Sequence, residues 1–128
     1  GNRCWKALHK AGFTPRLFHP SEDASLLDLG YGVTNMAPRA TARADELSKA
    51  EIKAGQKLLA AKIHKYNPQC LAFLGITAYR IAFAQPKAKI GPQPDWENTQ
   101  VWALPNPSGL NAHYQVDDLA DVYSWVLQ

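Results

Sequence analysis

Asn106 stands between two prolines in the run Leu104-Pro105-Asn106-Pro107-Ser108-Gly109-Leu110. Pro105 and Pro107 fix φ on either side of it, so its carboxamide is held rather than left to swing. Ser108 and Gly109 follow with backbone N–H groups to offer, and Gly109 lets a ligand or another backbone come close. Leu110 then places an apolar side chain at the tip of a polar turn, with Asn111 and His113 beyond it. A finger that wedges into a nucleic-acid duplex needs this arrangement. The same pattern also fits an ordinary strand-to-helix turn, with Leu110 a core leucine that opens the last helix.

A second group with chemical potential lies in Arg43-Ala44-Asp45-Glu46. Asp45 is a carboxylate in a polar loop, and a carboxylate can orient water or stabilise a developing positive charge. It can equally be a solvated loop residue, or a negative charge favoured at the start of the helix that follows. Glu46 is the weaker candidate, because its neighbour Leu47 turns it the other way. Arg39 and Arg43 make the Pro/Ala/Thr loop basic, which suits a phosphate backbone and suits bulk water equally. His9, His19, His64 and His113 do not fall at metal-ligand spacing with cysteine or acidic partners, nor do Cys4 and Cys70. No metal or cofactor is therefore expected. Cys70, inside an apolar run, reads as a buried free thiol, and this cysteine usage is that of an intracellular protein.

The elements that must position these residues can be read from pattern. Asn2 can cap a helix over 3–10, with Trp5 and Leu8 on one face and Gly12 as the stop. A short helix over 21–29 closes at Gly30, with Leu26, Leu27 and Leu29 as core. Residues 30–47 are irregular apart from an extended piece at 31–36, and loops of this length are usually functional or disordered. Ser48 and Glu51 form a Ser-x-x-Glu capping box, and Leu58, Leu59 and Ile63 make a helical stripe up to Tyr66. Pro68 ends that helix. The run 70–74 is unbroken by polar residues and suits a parallel strand covered on both faces. Gly75 leads into a helix over 76–84, and 85–98, with Pro86, Pro92 and Pro94, reads as a loop. The strand over 100–104 delivers the chain to the Asn106 turn. A last helix over 116–127 sets Leu119, Val122, Tyr123 and Val126 on one side.

Alternating strands and helices predict an α/β fold around a short, mainly parallel sheet, which binds its ligand at the carboxyl ends of the strands. The turns at Gly75 and Asn106 both leave strands in that direction. One domain of 128 residues is expected, 46% hydrophobic and 20% charged, with a net charge of +3 that permits a polyanionic partner without demanding one. No apolar run approaches a membrane span.

The Asn106 turn, the stretch Gly32-Val33-Thr34-Asn35, the opening Asn2-Arg3-Cys4-Trp5-Lys6 and the step Asn67-Pro68-Gln69 into Leu71-Ala72-Phe73-Leu74-Gly75 together resemble the mismatch-specific uracil-DNA glycosylases, relatives of thymine-DNA glycosylase. The resemblance runs from Gly1 to about Leu127, and Asn-Pro-Ser-Gly-Leu after a strand is its most specific part. It implies a three-layer α/β/α sandwich. It also implies that Leu110 is the intercalating residue, that Gly109 and Asn111 read the widowed guanine, that Asn106 contacts the flipped nucleotide or its phosphate, and that Asn35 lines the nucleotide pocket. Asn35 can instead cap the local backbone. Ser108 is a candidate for a phosphate oxygen. Where close relatives often carry arginine, Asn111-Ala112 stands here, which weakens the contact to the opposite strand. The family's first strand ends in a Gly-Ile-Asn-Pro-Gly-like turn whose Asn positions the attacking water. That strand is expected upstream of Gly1, so the family's catalytic Asn corresponds to no position in this numbering.

The expected function is that of a monofunctional glycosylase of base-excision repair, monomeric, acting on double-stranded DNA at the nucleoid. It removes uracil from mispairs with guanine, with thymine and damaged pyrimidines as further candidate substrates. Two other readings stay open: a non-catalytic mismatch-binding module that keeps the wedge, and an α/β domain that binds a small nucleotide through the Gly75 and Ser108 turns. The absence of a glycine-rich phosphate loop weighs against the second.

Overall fold

The structure is a computed structural model, and it describes residues 2–34, 48–108 and 113–128. They fall into two compact units, one within Gly1–Thr34 and Asn106–Gln128, the other within Asn35–Pro105. Sequence expectations at Asn35, Arg39, Arg43, Asp45, Glu46, Gly109, Leu110 and Asn111 lie outside the described residues.

In the first unit, α1 (Asn2–Ala11) packs on α4 (Val116–Ser124). Ala7 on the one and Leu119, Ala120, Val122 and Tyr123 on the other are buried. The exposed Lys10–Asp117 ion pair, 2.5 Å, spans the two helices. α1 stops at Gly12, whose φ of +102° and N–H bond to the His9 carbonyl make the helix exit that sequence placed there. A 3-10 helix, Pro20–Leu29, takes the place of the short helix expected over 21–29 and ends at Gly30 in the left-handed region. Only Leu26 of its three leucines is buried, while Leu27 is 69% exposed and Leu29 also faces solvent. The expected leucine core is thus corrected: the tighter 3-10 winding gives neighbouring positions different faces. Val116–Ser124 continues as a 3-10 turn, Trp125–Leu127, so the last helix is α only in its first part.

In the second unit, α2 (Lys49–Tyr66) begins with the capping box read from sequence. Ser48 Oγ accepts from the Glu51 N–H at 3.0 Å, and the Glu51 carboxylate accepts from the Ser48 N–H at 3.1 Å. Its buried stripe is Ile52, Gly55, Leu59 and Ile63, whereas Leu58, expected there, is 62% exposed. Asn67 ends the helix with a φ of +48°, and β1 (Cys70–Leu74) follows. Next come α3 (Ile76–Ala82), β2 (Gly91–Trp96) and β3 (Thr99–Leu104). The strand order is β1-β3-β2, with β1 parallel and β2 antiparallel to β3. This is the α/β class expected from the alternation.

Register pairs Leu71 with Val101 and Phe73 with Ala103, so these four share a sheet face. Phe73, Val101 and Ala103 form a core with Leu59, Ile63 and Tyr79, with Leu71 and Phe83 packed against it. Phe73, Tyr79, Phe83 and Trp96 continue it as a chain of ring contacts between 4.7 and 5.7 Å. Ala72 and Leu74, on the opposite face of β1, are exposed. Among the described residues only one face of the apolar run 70–74 is therefore closed, and Cys70 is half-buried, its thiol pushed up by burial.

β2 corrects the loop expected over 85–98. Pro92 and Pro94 are two apart, so their missing N–H groups lie on the same side of the strand. β2 is an edge of the sheet among the described residues, and an edge strand tolerates proline where no donor is needed. The β2–β3 hairpin turns through Glu97 and Asn98, both at positive φ, which is the backbone of a two-residue hairpin loop.

Candidate nucleic-acid interface

Leu104 ends β3, and the chain passes directly into Pro105-Asn106-Pro107-Ser108. Burial alternates along this turn: Pro105 and Pro107 are buried, Asn106 and Ser108 half-buried. The prolines thus anchor the backbone while the two polar residues stay within reach of solvent. Proline geometry is only part of what holds Asn106. Its Oδ1 accepts a hydrogen bond from the Ser108 N–H at 2.9 Å, an Asx-turn that closes the side chain onto its own backbone. The Ser108 N–H, expected to be offered to a ligand, is committed to this bond instead. It shapes the turn.

A residue that sequence reasoning left without a role closes the same region. The Arg3 guanidinium, in the first turn of α1, donates from Nη1 to the Ser108 carbonyl at 2.9 Å and from Nη2 to the Tyr114 carbonyl. One planar group therefore binds the backbone on both sides of 109–112. No local signal announces this contact, since Arg3 and Ser108 are 105 positions apart. Tyr123, buried near Arg3, has its phenol raised well above the ordinary value by desolvation, an effect Arg3 partly opposes. Burial likewise pushes up the Cys4 thiol.

Past Tyr114 the surface is acidic. His113, Tyr114, Asp118, Asp121 and Val122 line an open depression, and its carboxylates disfavour an anion there. Asp118 accepts from the Gln115 N–H at 2.9 Å, and Asp117 pairs with Lys10. Two of the three aspartates gathered near the C-terminus thus serve the start of α4, where negative charge is favoured. Among the described residues no three His, Cys, Asp or Glu side chains cluster as metal ligands. No helix among them is long and apolar enough to cross a membrane. Of the site residues expected from sequence, the described structure contains Asn106 and Ser108, and it joins them directly.

The chain thus leaves a strand paired in parallel with β1 and enters a polar turn closed by Asn106 and held by Arg3. The family model described as the uracil DNA glycosylase superfamily matches residues 1–126. The chain belongs to that superfamily, and so to the hydrolytic glycosylases that act on DNA.

Proposed function

We propose that this protein is a monofunctional, mismatch-directed member of its superfamily, a single glycosylase domain over 1–128. It flips uracil out of a mispair with guanine and hydrolyses the N-glycosidic bond within base-excision repair, as a monomer at the nucleoid. The observation that carries this reading is the Asn106 Asx-turn at the end of β3, braced by Arg3 immediately before Gly109-Leu110. A wedge is effective only if its base is stiff, because unstacking a nucleotide costs a few kcal/mol, about the worth of one or two charge-assisted hydrogen bonds.

In this mechanism Leu110 fills the space left by the flipped nucleotide, and Gly109 and Asn111 meet the orphaned guanine. Asn106 contacts the flipped nucleotide, and Asn35 lines its pocket. Arg39 and Arg43 hold phosphates. Ser108 contributes to phosphate contact through its hydroxyl, since its N–H is committed to the turn. Water adds to C1′ of the deoxyribose as the bond from C1′ to the base breaks. The bonding pair leaves with the base, the water proton is released, and an abasic sugar remains. Asp45 orients that water and stabilises the cationic sugar, a role suited to a carboxylate.

The test is release of uracil from a duplex with one guanine–uracil pair, read as alkali-induced strand scission, for the wild-type protein, Asp45→Asn and Asp45→Ala. Loss of turnover in both variants with duplex binding retained is the expected result. Unchanged turnover removes Asp45 from the mechanism. Absence of release from the wild-type protein replaces the enzyme with a mismatch-binding module.

A further inference from the structure

The 18 residues of α2 include five lysines and one glutamate. The other nine Lys and Arg of the chain meet ten Asp and Glu, so the net positive charge resides in this helix. Lys49, Lys53 and Lys57 are all exposed and fall four residues apart. That spacing sets them about 6 Å apart along the helix axis and about 40° apart around it, as one row. Lys65 continues the row beyond the exposed Ala61, its ammonium 5.2 Å from the centre of the Tyr66 ring. The buried stripe Ile52, Gly55, Leu59 and Ile63 turns another side of the helix to the core. Among the described residues none of Lys49, Lys53 and Lys57 pairs with a carboxylate. Glu51, the one acid of the helix, accepts from the Ser48 N–H. Like charges four apart repel, and a cation at the first helical position opposes the helix dipole. Folding therefore gains nothing from this row.

We infer that the lysine row of α2 is a second DNA-contacting surface, which binds the phosphate backbone without reading sequence. Each phosphate brought to a lysine offsets the repulsion within the row and releases a condensed counterion. DNA is the polyanion on which the superfamily acts, so the inference rests on that membership and on neither the wedge nor the mispair. The spacing suits a phosphate backbone. Phosphates of one strand follow at about 3.4 Å along the duplex axis, so lysines about 6 Å apart meet every second one. Their flexible four-carbon stems take up the difference. Lysine is a point charge that accepts a phosphate from many directions, whereas a fixed register would call for the planar fork of arginine. Contacts of this kind strengthen binding to any duplex and leave the bond-breaking step unchanged.

The experiment measures association of the full chain with a fully matched, uracil-free duplex, by fluorescence anisotropy across a salt series. Wild type is compared with Lys49→Gln/Lys53→Gln/Lys57→Gln and with Lys6→Gln/Lys87→Gln/Lys89→Gln, which removes the same charge from exposed lysines elsewhere. In the row variant the slope of log association constant against log salt is expected to become shallower by about 2.7, about 0.9 per phosphate. Its affinity is expected to fall about tenfold or more at about 0.1 M salt. The second variant is expected to keep the wild-type slope, as is a row of three arginines made by Lys49→Arg/Lys53→Arg/Lys57→Arg. Glutamine matches lysine in helix propensity and removes the repulsion, so the melting temperature of the row variant should not fall. If that variant does not fold, Lys53→Gln/Lys57→Gln decides by the same criterion, with an expected change of about 1.8. An unchanged slope in the row variant overturns the inference. An equal loss in the second variant also overturns it, by making total charge the agent. Row-dependent binding to vesicles of phosphatidylserine and phosphatidylcholine, with the duplex slope unchanged, assigns the row to a membrane and overturns it as well. A protein with the row-dependent slope that releases no uracil from a guanine–uracil pair overturns the glycosylase mechanism alone.

Discussion

Asn106 combines two tasks that its side chain divides between its atoms. Oδ1 holds the Ser108 N–H, and the carboxamide as a whole is what the flipped nucleotide is proposed to meet. Two substitutions separate these tasks. Asn106→Asp keeps an acceptor for the Ser108 N–H, so the turn persists, but it sets a negative charge where a phosphate-bearing ligand arrives. Asn106→Ala removes the acceptor and leaves a half-buried N–H without it. We expect Asn106→Ala to lose about 1 kcal/mol in thermal or urea unfolding. Asn106→Asp should unfold like wild type. Base release from a guanine–uracil duplex should fall about tenfold or more in both, since about 1.4 kcal/mol of lost positioning is already tenfold. A fully active Asn106→Asp would confine Asn106 to shaping the turn.

At the scale of elements, the parts that were legible in sequence are those whose local chemistry and packing agree. Ser48 and Glu51 specify the start of α2 by hydrogen bonds that need nothing beyond four residues, and Gly12 and Gly30 specify exits that need only a positive φ. β2 was not legible, because Pro92 and Pro94 signal a loop until the open sheet edge is known. Leu27 and Leu58 misled because apolar identity does not fix which side of a helix faces the core. The 3-10 helix at Pro20 carries its own pH signature. The Arg16 side chain, at 2.5 Å, and the His19 N–H, at 2.9 Å, hold the Glu22 carboxyl down to about 2 against an ordinary 4.5. A depressed folded value means stability that is present above about 4.5 and is lost as pH falls through about 2. Because the pair is exposed and screened by solvent, we expect unfolding followed between pH 5 and pH 2 to show a decline that Glu22→Gln makes only slightly shallower, with no change in slope near neutrality. An unchanged acid limb in Glu22→Gln would assign that decline to other carboxylates.

For the whole molecule, the candidate site was legible as a list of residue types and not as an assembly. Arg3 and Ser108 meet across 105 positions of sequence, a distance that no pattern bridges. Charge behaves in the same way. A net +3 says little by itself, and two described cations are spent on exposed pairs, Lys10 with Asp117 and Arg16 with Glu22, which contribute little to stability. The surface beside Tyr114 is acidic, which disfavours a phosphate backbone at Asp118 and Asp121, and the sequence offers Arg39 and Arg43 as the cations for phosphates instead. If those two arginines each neutralise one phosphate, binding must release the corresponding counterions. The log of the duplex association constant then falls with log salt, and Arg39→Gln/Arg43→Gln should make that slope shallower by about two. Fluorescence anisotropy with the same duplex at a series of salt concentrations gives the slope directly. The loss should be equal for matched and mismatched duplexes, because phosphate contacts fix position and carry no sequence information. A double variant with an unchanged slope would move the phosphate contacts off this loop, and one that lost affinity only for the mismatched duplex would make the arginines readers of the flipped nucleotide instead.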